Sequence, residues 1–150
     1  MHKPIVAGYR HTGIIVKDMK ASLHFYRDIL GLKVVQELAD NSDYINTITG
    51  TKNCDARFYK MDCGDGTILE ILEYRNYPTE LIPQEIYNVG AAHIALRVHD
   101  AEDAYERLLK AGVKVLSKPV LSSEGIAKVF FCLDPNNVRV EMVEMLNMPK

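Results

Sequence analysis

The chain has 150 residues, 47% hydrophobic and 25% charged, with a formal net charge of -2. That length predicts one domain able to bury roughly 70% of its unfolded surface without disulfide staples, and that charge gives no footprint for a nucleic acid or membrane partner. No run approaches the ~18 apolar residues of a membrane span, residues 1–10 lack a signal-peptide stretch, and Cys54, Cys63 and Cys132 form no CxxC pair, so a cytoplasmic location is expected.

The first run, His11-Thr12-Gly13-Ile14-Ile15-Val16, reads as a strand with Thr12, Ile14 and Val16 on one face and His11, Gly13 and Ile15 on the other. Asp18 then stands as an N-cap. Met19, Leu23, Tyr26 and Leu30 recur at i, i+4, i+7 and i+11, one face of an amphipathic helix, and Gly31 follows where a left-handed residue is wanted. Strands are predicted over 33–38, 56–61 and 67–73, the last two joined by a Gly64-Asp65-Gly66 turn. Between them, 40–55 reads as a polar loop with Asn41, Ser42, Tyr44, Asn46, Gly50 and Asn53, a candidate cleft wall. Segment 75–90, with Pro78 and Pro83, reads as a linker open to substrate contact.

The plan then repeats. His93-Ile94-Ala95-Leu96-Arg97-Val98 is a strand, and Asp100 caps a helix with Asp103 as a box-like partner. Ala101, Ala104, Leu108 and Ala111 form the stripe before Gly112. Strands follow over 113–117, 127–133 and 137–144, the last two joined by Asp134-Pro135-Asn136-Asn137. The two copies, about 5–74 and 91–146, align with a one-residue slip inside the helix and a shorter second loop. Each reads β-α-β-β-β, and one unit alone leaves a sheet face uncovered. The expectation is a single α+β domain over 1–150, two βαβββ modules forming a curved sheet around a metal-binding cleft.

Four residues occupy equivalent places in the copies: His11 and His93 open their strands, and Glu70 and Glu141 lie within the last strand of each copy. Alternation puts each on the face opposite the aliphatic residues, away from the helices. If the carboxylates converge at about 4 Å they repel by on the order of 4 kcal/mol at an effective dielectric near 20. A divalent cation removes that repulsion and accepts the imidazoles. Two nitrogen and two oxygen ligands suit Zn, Ni, Co, Mn or Fe(II), and the lack of a thiolate argues against a closed structural zinc site. The competing reading makes the glutamates solvent-facing and the histidines satisfied polar residues at strand starts. His2, His24 and His99 have no repeat partner and receive no role. Glu73 and Glu144 are also paired, but their parity makes them solvated or helix-facing charges.

These residues resemble the vicinal oxygen chelate superfamily, which includes glyoxalase I, methylmalonyl-CoA epimerase, extradiol dioxygenases and bleomycin- or fosfomycin-resistance proteins. The likeness is carried by His11 to Asp18, Phe25-Tyr26-Arg27-Asp28-Ile29-Leu30-Gly31-Leu32, Thr67 to Glu70, His93 to Asp100, and Leu133-Asp134-Pro135-Asn136-Asn137 running into Glu141. It implies paired βαβββ modules, a divalent metal, a small-molecule substrate and a homodimer. By motif match His11, Glu70, His93 and Glu141 would be the metal ligands, as in glyoxalase I. An extradiol dioxygenase needs three open metal positions, one of which Glu70 would fill. The resemblance therefore implies a lyase or isomerase working through a metal-bound enediolate or enolate, glyoxalase I-like or epimerase-like. Glu141 would be the catalytic base and Glu70 the alternative. The different-class alternative is a non-catalytic drug-binding protein. Arg10, Arg57, Lys128 and Arg139 are available to grip substrate carboxylates.

Overall fold

In the first half of the chain the predicted alternation becomes a four-stranded mixed sheet. β1 (Thr12–Ile15), β2 (Lys33–Asp40), β3 (Ala56–Asp62) and β4 (Ile68–Tyr74) lie in the order β1-β4-β3-β2, with β1 parallel to β4 and the other neighbours antiparallel. The computed structural model describes residues 4–148, and backbone contacts divide the chain into two units, Met1–Thr79 and Glu80–Lys150.

Alternate residues of the first sheet, Ile14, Tyr59, Met61, Leu69 and Ile71, are buried, and α1 (Met19–Leu23) lies against β4. Two carboxylates fix the start of α1. The Asp18 carboxylate accepts from the Ala21 N–H at 2.9 Å, and Glu73 reaches from β4 to accept from the Met19 N–H at 3.1 Å. Both are orphan amides of a first helical turn, where a negative charge is also favoured by the helix dipole. Glu73 is therefore helix-facing, as its parity implies.

After Leu23 the helix widens into a π-helical segment, His24–Ile29, in which the Leu30 N–H reaches back to the Phe25 carbonyl at 3.0 Å. A π turn absorbs one extra residue, which accounts for the slip between the copies. It also buries the consecutive rings of Phe25 and Tyr26, edge to face at 4.8 Å. Of the predicted stripe Met19, Leu23 and Tyr26 are buried and Leu30 is half-buried. Gly31 takes φ +83°, a left-handed conformation that a residue with a Cβ enters only at a cost.

The second unit repeats this plan. β5 (His93–Arg97), β6 (Val120–Leu121), β7 (Ala127–Leu133) and β8 (Arg139–Met145) lie in the order β5-β8-β7-β6, β5 parallel to β8. Its long helix α3 (Ala101–Lys110), the third of the chain after α1 and α2 (Asp43–Thr49), packs on β7 and β8. Phe130, Cys132, Val140 and Met142 are buried, and Tyr105 of α3 meets Phe130 edge to face at 5.8 Å. Asp100 caps α3 through the Asp103 N–H at 2.9 Å, and Glu144 accepts from the Ala101 N–H at 3.1 Å, matching Asp18 and Glu73. The Asp103 carboxylate pairs with Arg107 at 3.4 Å.

Two predicted segments differ. The strand expected over 113–117 is reduced to a bridge between Val115 and Cys132, flanked by backbone bonds Leu116 to Phe131 and Leu133 to Lys114. Pro119 has no N–H to give to β7, so the edge breaks and resumes only at β6. The polar loop expected over 40–55 contains a helix, α2 (Asp43–Thr49), closed by Gly50 in the left-handed region. Its one buried residue, Ile45, packs with Cys54 and Ala56, and with Phe58 and Tyr74. Segment 75–90 forms no strand or helix. Its start is tied to the first unit, the Tyr77 hydroxyl bonding both the carbonyl and the N–H of Lys52. No helix among the described residues is long and apolar enough to cross a membrane.

Candidate metal centre

Register brings the predicted residues together within each unit. The parallel pairing of β1 with β4 sets Gly13 beside Glu70, so His11, two residues before Gly13 on the same face, reaches the same carboxylate. His11 Nε2 lies 3.5 Å from Glu70 Oε1. In the second unit Ala95 lies beside Glu141, and His93 Nε2 is 3.2 Å from Glu141 Oε2. The glutamates are thus not solvent-facing strand residues. Glu70 is 8% exposed, and Glu141 is half-buried.

These pair geometries fit a metal. Two donor atoms sharing a cation at about 2.1 Å and ordinary coordination angles lie about 3.0–3.4 Å apart, close to both observed separations. The His11 ring has one usable nitrogen, because Nδ1 is buried with no hydrogen-bond partner and only Nε2 faces the carboxylate. A Cβ on Gly13 would press on a Leu72 methyl at 3.3 Å while standing at ordinary contact distance, 3.9 Å, from Glu70 Oε1, so the glycine makes room for the Leu72 side chain. The second copy has the next smallest residue, Ala95, at that position.

The residues next to the glutamates differ between units. β3 sets Lys60 opposite Glu70, and its Nζ is 3.7 Å from Oε2. β7 sets Phe131 opposite Glu141, its ring edge to face with His93 at 5.4 Å. Glu70 is therefore held through both oxygens, by an imidazole and an ammonium. Glu141 has the His93 imidazole alone as such a partner among the described residues. Neither Lys60 nor Gly13 stood out in the sequence. The short turn at Gly64-Asp65-Gly66 was the available signal, because a tight hairpin fixes which β3 residue faces Glu70.

The other candidates fall elsewhere. Arg57 donates to Glu37 and to the Tyr59 hydroxyl, each at 2.6 Å, and by parity lies on the helix-side face. Lys128 is bound to Glu102 at 2.6 Å. Arg139 donates to the Gln84 carbonyl, and Arg10 is exposed. Tyr44 is exposed, whereas Asn46 is structural, its amide oxygen accepting from the Cys54 N–H at 2.8 Å. His24 pairs with Asp28, His99 is exposed, and His2 lies outside the described residues. A separate acidic group, Asp100, Glu102 and Glu144, gathers at the start of α3, where Asp100 and Glu144 cap backbone amides and Glu102 holds Lys128.

Known proteins resemble the chain in sequence and in fold. The chain is 29% identical over 141 residues to a lactoylglutathione lyase of Neisseria meningitidis serogroup A, covering 89% of this chain and 88% of that one. It is 30% identical over 148 residues to a lactoylglutathione lyase of Pseudomonas aeruginosa, covering 91% and 81%. A glyoxalase family protein from Bacillus cereus superposes with a TM-score of 0.85 at 18% identity over 98% of this chain and 99% of that chain, a likeness of fold. The model of the Glyoxalase/Bleomycin resistance protein/Dioxygenase superfamily matches residues 8–142, and the chain belongs to that superfamily.

Proposed function

We propose that the protein is a metal-dependent lyase or isomerase of the glyoxalase I type, acting on a small oxygen-rich substrate. The observation that carries this reading is the repeated His–Glu pair, at 3.5 Å in one unit and 3.2 Å in the other. We assign His11, Glu70, His93 and Glu141 as ligands of a divalent cation, Zn, Ni, Co, Mn or Fe. Such an ion, when bound, supplies Lewis acidity toward a substrate carbonyl.

The chain's own residues divide the remaining work. The two imidazoles hold the ion without adding charge. Glu70, buried and with an imidazole at 3.5 Å from one oxygen and an ammonium at 3.7 Å from the other, is suited to stay fixed as a ligand. Glu141, with its side chain at 23% exposure against 11% for Glu70, has more freedom to move, and takes a proton from carbon and returns it to the neighbouring carbon. Phe131 lies across the ladder from it, against the His93 ring. Names of relatives at 29–30% identity support this class of reaction. We further assign the protein to the cytoplasm, where its three free thiols are stable, and to a homodimer.

The test is elemental analysis of protein purified without added metal. About one ion per chain is expected, lost in His11→Ala and in His93→Ala. Metal-free wild-type protein that binds a hydrophobic drug would replace this reading with sequestration. A stability-shift screen with S-lactoylglutathione and methylmalonyl-CoA would then separate the glyoxalase-like from the epimerase-like reaction.

A further inference from the structure

Lys60 breaks the symmetry of the two half-sites. The repeats agree on an imidazole, a carboxylate and a small residue beside it, but differ at the position across from the carboxylate, a lysine against a phenylalanine. The Lys60 side chain is 20% exposed, its Nζ lies 3.7 Å from Glu70 Oε2, and it makes no other ion pair among the described residues. On the same face of β3, toward α2, comes Phe58, paired with Leu72 and Leu38. The ammonium is therefore the cation at the polar end of an otherwise apolar strip.

Charge counting gives it a purpose, resting on the metal reading above. Glu70 offsets only one of a divalent ion's two charges, and Lys60 adds a further positive charge beside that carboxylate. Once Glu70 gives its charge to an ion, the ammonium loses the one ion-pair partner it has among the described residues. A half-buried ammonium then needs another anion, and the substrate is what can bring it. We propose that Lys60 is a specificity residue that selects substrates bearing a carboxylate next to the pair of oxygens that face the metal.

Hydroxymalonate and lactate test this, because they share the 2-hydroxy carboxylate group and differ by a carboxylate in place of a methyl. Their dissociation constants are measured by calorimetry on the Mn(II)-loaded full chain, with metal content checked in each variant. Wild-type protein is expected to favour hydroxymalonate over lactate by about tenfold more than Lys60→Met does, and comparing the ratio between variants cancels the chelating strength of each probe. Lys60→Arg is expected to keep most of the preference, which a merely structural lysine would not require. An equal ratio in wild type and Lys60→Met, both loaded with metal, overturns this inference alone. Wild-type protein that takes up no metal overturns the metal reading and this inference with it.

Discussion

A buried imidazole nitrogen with no partner costs on the order of 1–3 kcal/mol relative to one that is paired or wet, and His11 Nδ1 is such an atom. His11 is therefore a residue that stability alone would not select. His11→Leu replaces the imidazole by an apolar group of similar bulk, and in the absence of metal it is expected to unfold in urea within about 1 kcal/mol of the wild type, or above it. The same variant is expected to take up no metal. A loss greater than about 2 kcal/mol would instead make the ring structural. Both His–Glu pairs were legible from the sequence, because strand parity fixes the face of each residue whatever the register. Lys60 and Gly13 were not, since their meaning depends on which residue lies across the ladder, and parity is silent on that.

Elements were legible where one physical pattern ruled and illegible where two competed. β7 appears over the expected residues and β4 one residue along from its expected range, both short apolar runs set between turns. The stripe of α1 was read correctly as helical, but period alone does not distinguish an α turn from a π turn, and only the comparison between copies exposes the extra residue. α2 was hidden by composition, because its exposed face carries Asp43, Thr47 and Thr49, residues that favour loops when nothing packs beneath them. One buried side chain, Ile45, together with the Asn46 amide held on Cys54, keeps the segment helical on the Glu70 face of the first sheet. Ile45→Ala is expected to cost about 2–3 kcal/mol. The loss should be local, because a seven-residue helix is marginal without its anchor. Amide exchange at Cys54 should accelerate while the central amides of β3 and β4 hold. Equal acceleration at all of them would mean that α2 unfolds only with the sheet.

At the scale of the whole molecule the question is whether one ion serves both units, and two thiols answer it separately. Cys54 is buried in the first unit and Cys132 in the second, where burial pushes the thiol up to about 12. Each reacts with a thiol reagent only when its surroundings open. The urea concentration at which each thiol becomes reactive therefore reports its own unit. Mn(II) suits the test, since it prefers oxygen and nitrogen donors to thiolate. At about 100 times its dissociation constant it should add about 2.7 kcal/mol, which moves a transition by about 1–3 M urea for a slope of about 1–3 kcal/mol per M. If the four ligands share one ion, Mn(II) should shift both thiols, and either His11→Ala or His93→Ala should abolish both shifts. An ion held by the first pair alone behaves differently. His93→Ala would then leave the Cys54 shift intact, because the unit that binds would still be whole, and that outcome would reduce the shared centre to two independent pairs.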